Sequence, residues 1–143
     1  MMKILVPVDG SKYSMEGVKV ALDYAKTKGA EIYLMTVTPY IAGIDLELSA
    51  HKWNELLQDM RRRGEDVLKQ ASDFLKSEGI SSCTTLSIST SAADEIVSFA
   101  EKEKIDLIII GSRGLSPSSR FKIGSVASRV ARYAPCSVYV VKI

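Results

Sequence analysis

Apolar residues recur along this chain in two alternating rhythms, short branched runs and longer stripes at helical spacing. Lys3-Ile4-Leu5-Val6-Pro7-Val8 is a branched run that stops at Asp9-Gly10-Ser11, which predicts a buried strand and a turn. Met15, Val18, Leu22 and Ala25 then recur at helical spacing up to Lys28-Gly29, where glycine supplies a C-terminal stop. Glu31 to Val37 reads as a second strand ended by Thr38-Pro39. From Ser49 to Glu78 the residues Trp53, Leu56, Met60, Val67, Ala71, Phe74 and Leu75 mark one stripe of a long amphipathic helix that stops at Gly79. A weaker, hydroxyl-rich strand lies within Ile80 to Ile88. Ser91-Ala92-Ala93-Asp94 has the spacing of a capping box, and Ile96, Val97 and Ala100 continue a helix from it. Ile105 to Ile110 is apolar on both faces over its last four residues, the mark of a central strand in a parallel sheet. Ser125 to Tyr133 reads as a helix ended by Pro135, and Ser137 to Lys142 as a last strand. The sum is βαβαβαβαβ: an α/β chain with a single doubly wound parallel sheet of five strands, helices on both faces, and one long connection from Tyr40 to Leu48.

Composition narrows the classes. A length of 143 residues predicts one domain, 1–143, within the ~100–150 residues most common for single domains. Hydrophobic residues at 46% and charged residues at 25% are ordinary for a globular protein and exclude a low-complexity chain. The net charge of +2 lacks the excess of Lys and Arg that a nucleic-acid binder carries. No apolar run approaches the ~18 residues of a membrane span, and no signal peptide is legible, so a cytoplasmic location is expected. Cys83 and Cys136 read as two reduced thiols, and His51 alone offers neither metal-ligand spacing nor a catalytic triad.

In doubly wound sheets, ligands bind beyond the carboxyl ends of the strands where strand order reverses. The first and fourth strands are the most continuously apolar, so they are expected to be central neighbours. The loops that follow them are Val8-Asp9-Gly10-Ser11 and Gly111-Ser112-Arg113-Gly114. The second loop runs on through Pro117, Ser118, Ser119, Arg120 and Lys122 to Gly124-Ser125 and then enters a helix. Glycine allows close backbone approach and positive φ, and helix N-terminal N–H groups favour phosphate. Hydroxyls and cations in the loop fit the same chemistry, while a solvated surface loop with Ser125 as a cap fits the composition equally. Neither a Walker-type P-loop nor a Gly-x-Gly-x-x-Gly fingerprint is present, and there is no Gly-x-Ser-x-Gly nucleophile elbow.

Gly111-x-x-Gly114, nine residues, then Gly124-Ser125 resembles the Gly-2x-Gly-9x-Gly-[Ser/Thr] pattern of the ATP-binding branch of the universal stress protein family. Ile4 to Ser11, Asp106 to Gly114, Gly124 to Val130 and Ala134 to Val138 resemble that family's opening strand and turn, fourth strand, closing helix and last strand. The resemblance spans the chain in one copy. It implies a Rossmann-like sheet of order 3-2-1-4-5, of the adenine nucleotide alpha hydrolase kind, that binds ATP or AMP. Carried over by position, Asp9 would bond the ribose or help hold Mg or Mn at the phosphates. The backbone at Pro7, Val8 and Val37 would line adenine and ribose. Gly111, Gly114, Gly124, Ser125 and Val126 would face the phosphates, with Ser112 and Arg113 in the same loop. Pro117 stands where many relatives have glycine, and Thr36 where histidine is common.

Blander roles stand beside these. Asp9 also fits a simple turn residue, Arg61-Arg62-Arg63 a solvated helix face, and Trp53, Met15 and Met60 a core stripe. The last strand, with Val138, Tyr139, Val140 and Val141, is apolar and expected at a sheet edge, where pairing with a second copy would cover it. The family resemblance implies a homodimer there. The resulting expectation is a homodimeric, nucleotide-responsive regulator of stress response with an unidentified protein partner, and with no nucleic acid or membrane partner. A slow ATP-hydrolysing enzyme on the same frame and a nucleotide-free interaction module are the alternatives.

Overall fold

Three helices open on a serine whose hydroxyl accepts an N–H three residues later: Ser11 from Ser14, Ser49 from Lys52 and Ser91 from Asp94. The computed structural model describes residues 1–40, 49–114 and 123–143. Its elements are β1 (Lys3–Pro7), α1 (Lys12–Lys28), β2 (Glu31–Pro39), α2 (Ala50–Ser77), β3 (Ser82–Ser89), α3 (Ala92–Lys102), β4 (Leu107–Gly111), α4 (Ser125–Tyr133) and β5 (Ser137–Val141). Glycine ends two helices as the sequence predicts. Gly29 closes α1 at φ +67°, and Gly79 follows α2 at φ +82°. After α2 the N–H groups of Gly79 and Ile80 return to the carbonyls of Lys76 and Leu75, a Schellman closure. The last turn differs from expectation, because Gly124 is the N-cap of α4 and Ser125 its first helical residue, so Ser125 is not the cap.

The strands form one parallel sheet of order β3-β2-β1-β4-β5. Strand alternation divides the core into two layers. Ile4, Val6, Ile32, Leu34, Leu107 and Ile109 face α1 and α2, where Val18, Ala21, Leu68, Ala71 and Leu75 meet them. Leu5, Met35, Ile108 and Ile110 face α3 and α4, against Ile96, Ala100, Ala127 and Val130. β4 is buried along its whole length, as its unbroken apolar run requires at the sheet centre.

Two expectations are corrected. Gly111 is the last residue of β4, not part of the loop after it. Trp53 and Met60 are half-buried and lie outside both core layers, whereas Met15 packs on the α1–α2 layer. The buried stripe of α2 starts only at Gly64. Arg61, Arg62 and Arg63 are exposed, and Arg62 pairs with Asp59 one turn back. The connection from 41 to 48 lies outside the described residues.

Candidate functional site

Strand pairing itself opens the site. β1 stays paired with β2 through Pro7 opposite Met35, and the Val8 N–H still reaches the Met35 carbonyl at 2.8 Å. Its pairing with β4 ends earlier, at Leu5 opposite Ile108. β2 runs on with β3 to Pro39 opposite Ser89, and β4 with β5 to Gly111 opposite Val141. The carboxyl end of β1 therefore parts from β4 while it still follows β2, and a cavity of about 590 Å³ opens there on the α3–α4 side. That size suits a small-molecule site, and the place is the reversal point of the strand order.

Every residue that the sequence proposed for a nucleotide lines this cavity: Pro7, Val8, Asp9, Val37, Gly111, Ser112, Arg113, Gly114, Gly124, Ser125 and Val126. Several lining residues carried no signal of their own, among them Ser14, Met35, Pro39, Ser89, Thr90 and Ile96. Ser89 ends the edge strand β3 and Thr90 follows it, and only the strand order brings that end beside β2. Of the long loop, Pro117, Ser118, Ser119, Arg120 and Lys122 lie outside the described residues. His51 is exposed at the start of α2, with Nε2 at 2.9 Å from Glu55, and is not a lining residue.

Asp9 proves to be a turn residue and a cavity residue at once. Its Oδ1 accepts the Ser11 N–H at 2.9 Å, an Asx turn that starts α1. Its Oδ2 faces Gly114, where a Cβ would lie 2.5 Å away. The glycines of the pattern act by contact, not by φ: none of the three is among those with positive φ, which are Gly10, Gly29 and Gly79. A Cβ on Gly111 would meet the Tyr13 backbone at 2.9 Å, so Gly111 lets α1 lie close on β4. A Cβ on Gly124 would stand 3.3 Å from the Ser112 carbonyl.

Ser112 is 2% exposed and ties the site together. Its N–H donates to the Val141 carbonyl at 2.7 Å, and its carbonyl accepts the Gly124 N–H at 2.6 Å. The Gly124 N–H is thereby spent, which leaves the first-turn N–H groups of α4, from Ser125 onward, as the donors without intrahelical partners. Among the described residues α4 has no side-chain cap, and its first turn holds no acidic residue. α3 also starts at the cavity wall, but Ser91 caps it and Asp94 and Glu95 fill its first turn. Of these two helix starts, that of α4 is the one whose dipole is left for an anion.

The family model for the universal stress protein family matches residues 1–142. The chain belongs to the universal stress protein family. Among curated members, it is 38% identical to universal stress protein MJ0531 of Methanocaldococcus jannaschii, over 98% of this chain and 81% of that one. Among solved members, UspA from Lactobacillus plantarum superposes with a TM-score of 0.85 at 26% identity, covering 99% of this chain and 97% of that one. The Archaeoglobus fulgidus universal stress protein in complex with dAMP shares the fold at a TM-score of 0.73 and 22% identity, over 99% of this chain and 98% of that one. Others of the same fold are described with cAMP, or, from Arabidopsis thaliana, with AMP bound. Among the described residues, no helix of this universal stress protein is long and apolar enough to cross a membrane.

Cysteine chemistry lies away from the cavity. Cys136 is half-buried on the α3–α4 layer, where desolvation and then the charge of Asp106 push its thiol above the usual range, so it packs as a thiol. Cys83 is exposed on β3, and both cysteines are free.

Proposed function

We propose that this universal stress protein binds an adenine nucleotide, ATP or AMP, in the cavity at the end of β1 and acts as a homodimeric, nucleotide-responsive regulator of stress response. One observation carries the reading: Asp9, Val37, Gly111 at the end of β4, Gly114 after it and the start of α4, without a side-chain cap among the described residues, line one cavity. Its two ends suit different chemistry. The phosphates belong at Gly114, Ser125 and Val126, where backbone N–H groups and the helix dipole meet them. The base belongs toward Val37, Pro39 and Ile96. Val37 lies past the last β2 residue paired with β1, and strand alternation points its peptide groups toward the side β1 has left. Those groups suit the hydrogen-bonding edge of a base. Structural relatives with AMP, dAMP or cAMP bound support the class of ligand.

Asp9 Oδ2 is placed to accept a ribose hydroxyl or to complete the shell of a phosphate-bound Mg or Mn. A single carboxylate fits that second role, because Mg²⁺ is usually held by one or two carboxylates together with substrate phosphates. Asp9 is the one carboxylate among the described lining residues. Efficient phosphoryl transfer needs a positioned base and several metal ligands, so binding with at most slow hydrolysis is the reading.

Native mass spectrometry of the freshly purified protein, with the released ligand identified after denaturation, tests it. A dimer that carries an adenine nucleotide is the expected result. Added AMP, or ATP with Mg²⁺, should raise the unfolding free energy by about 2.7 kcal/mol at a hundredfold excess over Kd. A protein that is empty and gains no stability from either nucleotide overturns the nucleotide reading.

A further inference from the structure

Ser14, the third residue of α1, lines the cavity and is 4% exposed; Ser11 is 6% exposed. Their polar groups form a closed set with Asp9. The Ser11 hydroxyl accepts the Ser14 N–H at 3.1 Å, and the Ser14 hydroxyl donates to the Ser11 carbonyl at 3.0 Å. The same Ser14 oxygen accepts the Asp9 N–H at 3.3 Å. Asp9 closes the set when its Oδ1 accepts the Ser11 N–H at 2.9 Å.

An ordinary helix cap needs only the first of these bonds. In a capping box, the third helical residue reaches back to the N–H of the cap itself. Here the Ser14 hydroxyl reaches past the cap to the N–H of Asp9. The backbone of Asp9 is thus held by Ser14, and one carboxylate oxygen by Ser11. The remaining oxygen, Oδ2, faces Gly114 across the cavity mouth.

We propose that Ser14 is a positioning residue that acts through Asp9, fixing the carboxylate so that Oδ2 is presented as a preset acceptor to the bound ligand. The inference rests on the nucleotide reading above and adds to it the residue that sets the acceptor's place. The gain comes from preorganisation, since a carboxylate already held in position loses less freedom when a ligand arrives.

A double-mutant cycle tests it, with AMP as the probe and isothermal titration as the readout. Ser14→Ala should weaken AMP binding about fivefold in the parent chain, the scale of one hydrogen bond. In an Asp9→Ala background the same change should cost less than about twofold, because the group it positions is gone. Ser14→Thr, which keeps the hydroxyl, should restore most of the affinity. Equal losses in both backgrounds overturn the proposal, since Ser14 then acts as ordinary packing, and so does the absence of any loss. Should Ser14→Ala not fold, Ser14→Cys carries the same test, being near in size but a poor hydrogen-bonding partner. A parent chain that binds neither AMP nor ATP with Mg²⁺ overturns the nucleotide reading and this inference with it. An additive cycle on a chain that does bind removes the Ser14 role alone.

Discussion

Gly114 keeps the space in front of the Asp9 carboxylate open, and Gly111 keeps α1 seated on β4, so the two glycines should respond differently to substitution. At Gly114 a side chain would start 2.5 Å from Asp9 Oδ2, the tip of a side chain at the cavity, so the crowding falls on the ligand site and not on packed backbone. Gly114→Val should lower nucleotide affinity by ~10-fold or more with little change in unfolding midpoint. At Gly111 a Cβ would meet the carbonyl carbon of Tyr13 at 2.9 Å, and backbone cannot step aside without moving the first turn of α1. Gly111→Ala should therefore destabilise the fold by about 1–3 kcal/mol. Calorimetric titration beside urea unfolding separates the two, and a Gly114 variant that binds normally would refute the site assignment. The positions of these glycines were legible in the sequence. Their reason was not, because a contact between residues 9 and 114, or 13 and 111, leaves no mark on local spacing. Of the two properties expected of these glycines, the missing Cβ is the one in use, and positive φ is not.

At the scale of elements, α2 shows how a correct pattern can still misjudge burial. Its stripe predicted one continuous core face from Trp53 to Leu75, yet burial begins at Gly64. A helix of 28 residues is about 42 Å long, whereas the nine residues of β2 span about 30 Å. The helix starts beyond the carboxyl end of the sheet and overshoots it. Trp53 then packs edge-on against Tyr40, with ring centroids 5.6 Å apart, not against the core. Where α2 does reach the sheet, Gly64 allows the closest approach. A Cβ there would lie 2.6 Å from Leu86 Cδ1 and 3.3 Å from Thr36 Cγ2. Glycine within a helix costs about 1 kcal/mol against alanine, and the tight fit on β3 is the compensating reason to keep it. Gly64→Val should destabilise by about 1–3 kcal/mol in denaturant unfolding. A neutral or stabilised variant would show that α2 packs more loosely on β3.

For the whole molecule, the open question is what meets the edge of β5. Among the described residues, this strand has a neighbour, β4, on one side only. Its residues divide between faces: Val138 and Val140 turn to the α3–α4 layer, Val141 is buried in the other layer, and Tyr139 is 43% exposed. The apolar side chains are thus largely covered within the chain, and the unpaired backbone edge is what a second copy would use. We propose that two chains pair there. Charge on an edge strand is a standard guard against such pairing, so Tyr139→Lys should shift the protein from dimer to monomer in light scattering after size exclusion. A variant that stays dimeric would move the interface elsewhere. On its other, paired side β5 is joined to the cavity through Ser112, whose N–H holds the Val141 carbonyl and whose carbonyl holds Gly124.

The sequence alone determined the order and kind of the nine elements found among the described residues, several of their caps, and the central place of β1 and β4. Those features are written locally, in the period of the apolar residues and in the serines and glycines at helix ends. Once the sheet is parallel, the loops Val8–Ser11 and Gly111–Gly114 at its carboxyl edge are identified too, and the family resemblance adds Pro7, Val37 and Val126 to the residues that line the cavity. Tertiary structure alone decided the rest of the wall, where Ser89 joins from β3, Thr90 from just after it and Ile96 from α3, and where Ser14 takes hold of Asp9. It also decided what each glycine makes room for and where α2 leaves the core. These are contacts between groups brought together by strand order and helix packing, and such contacts carry no periodic signature along the chain.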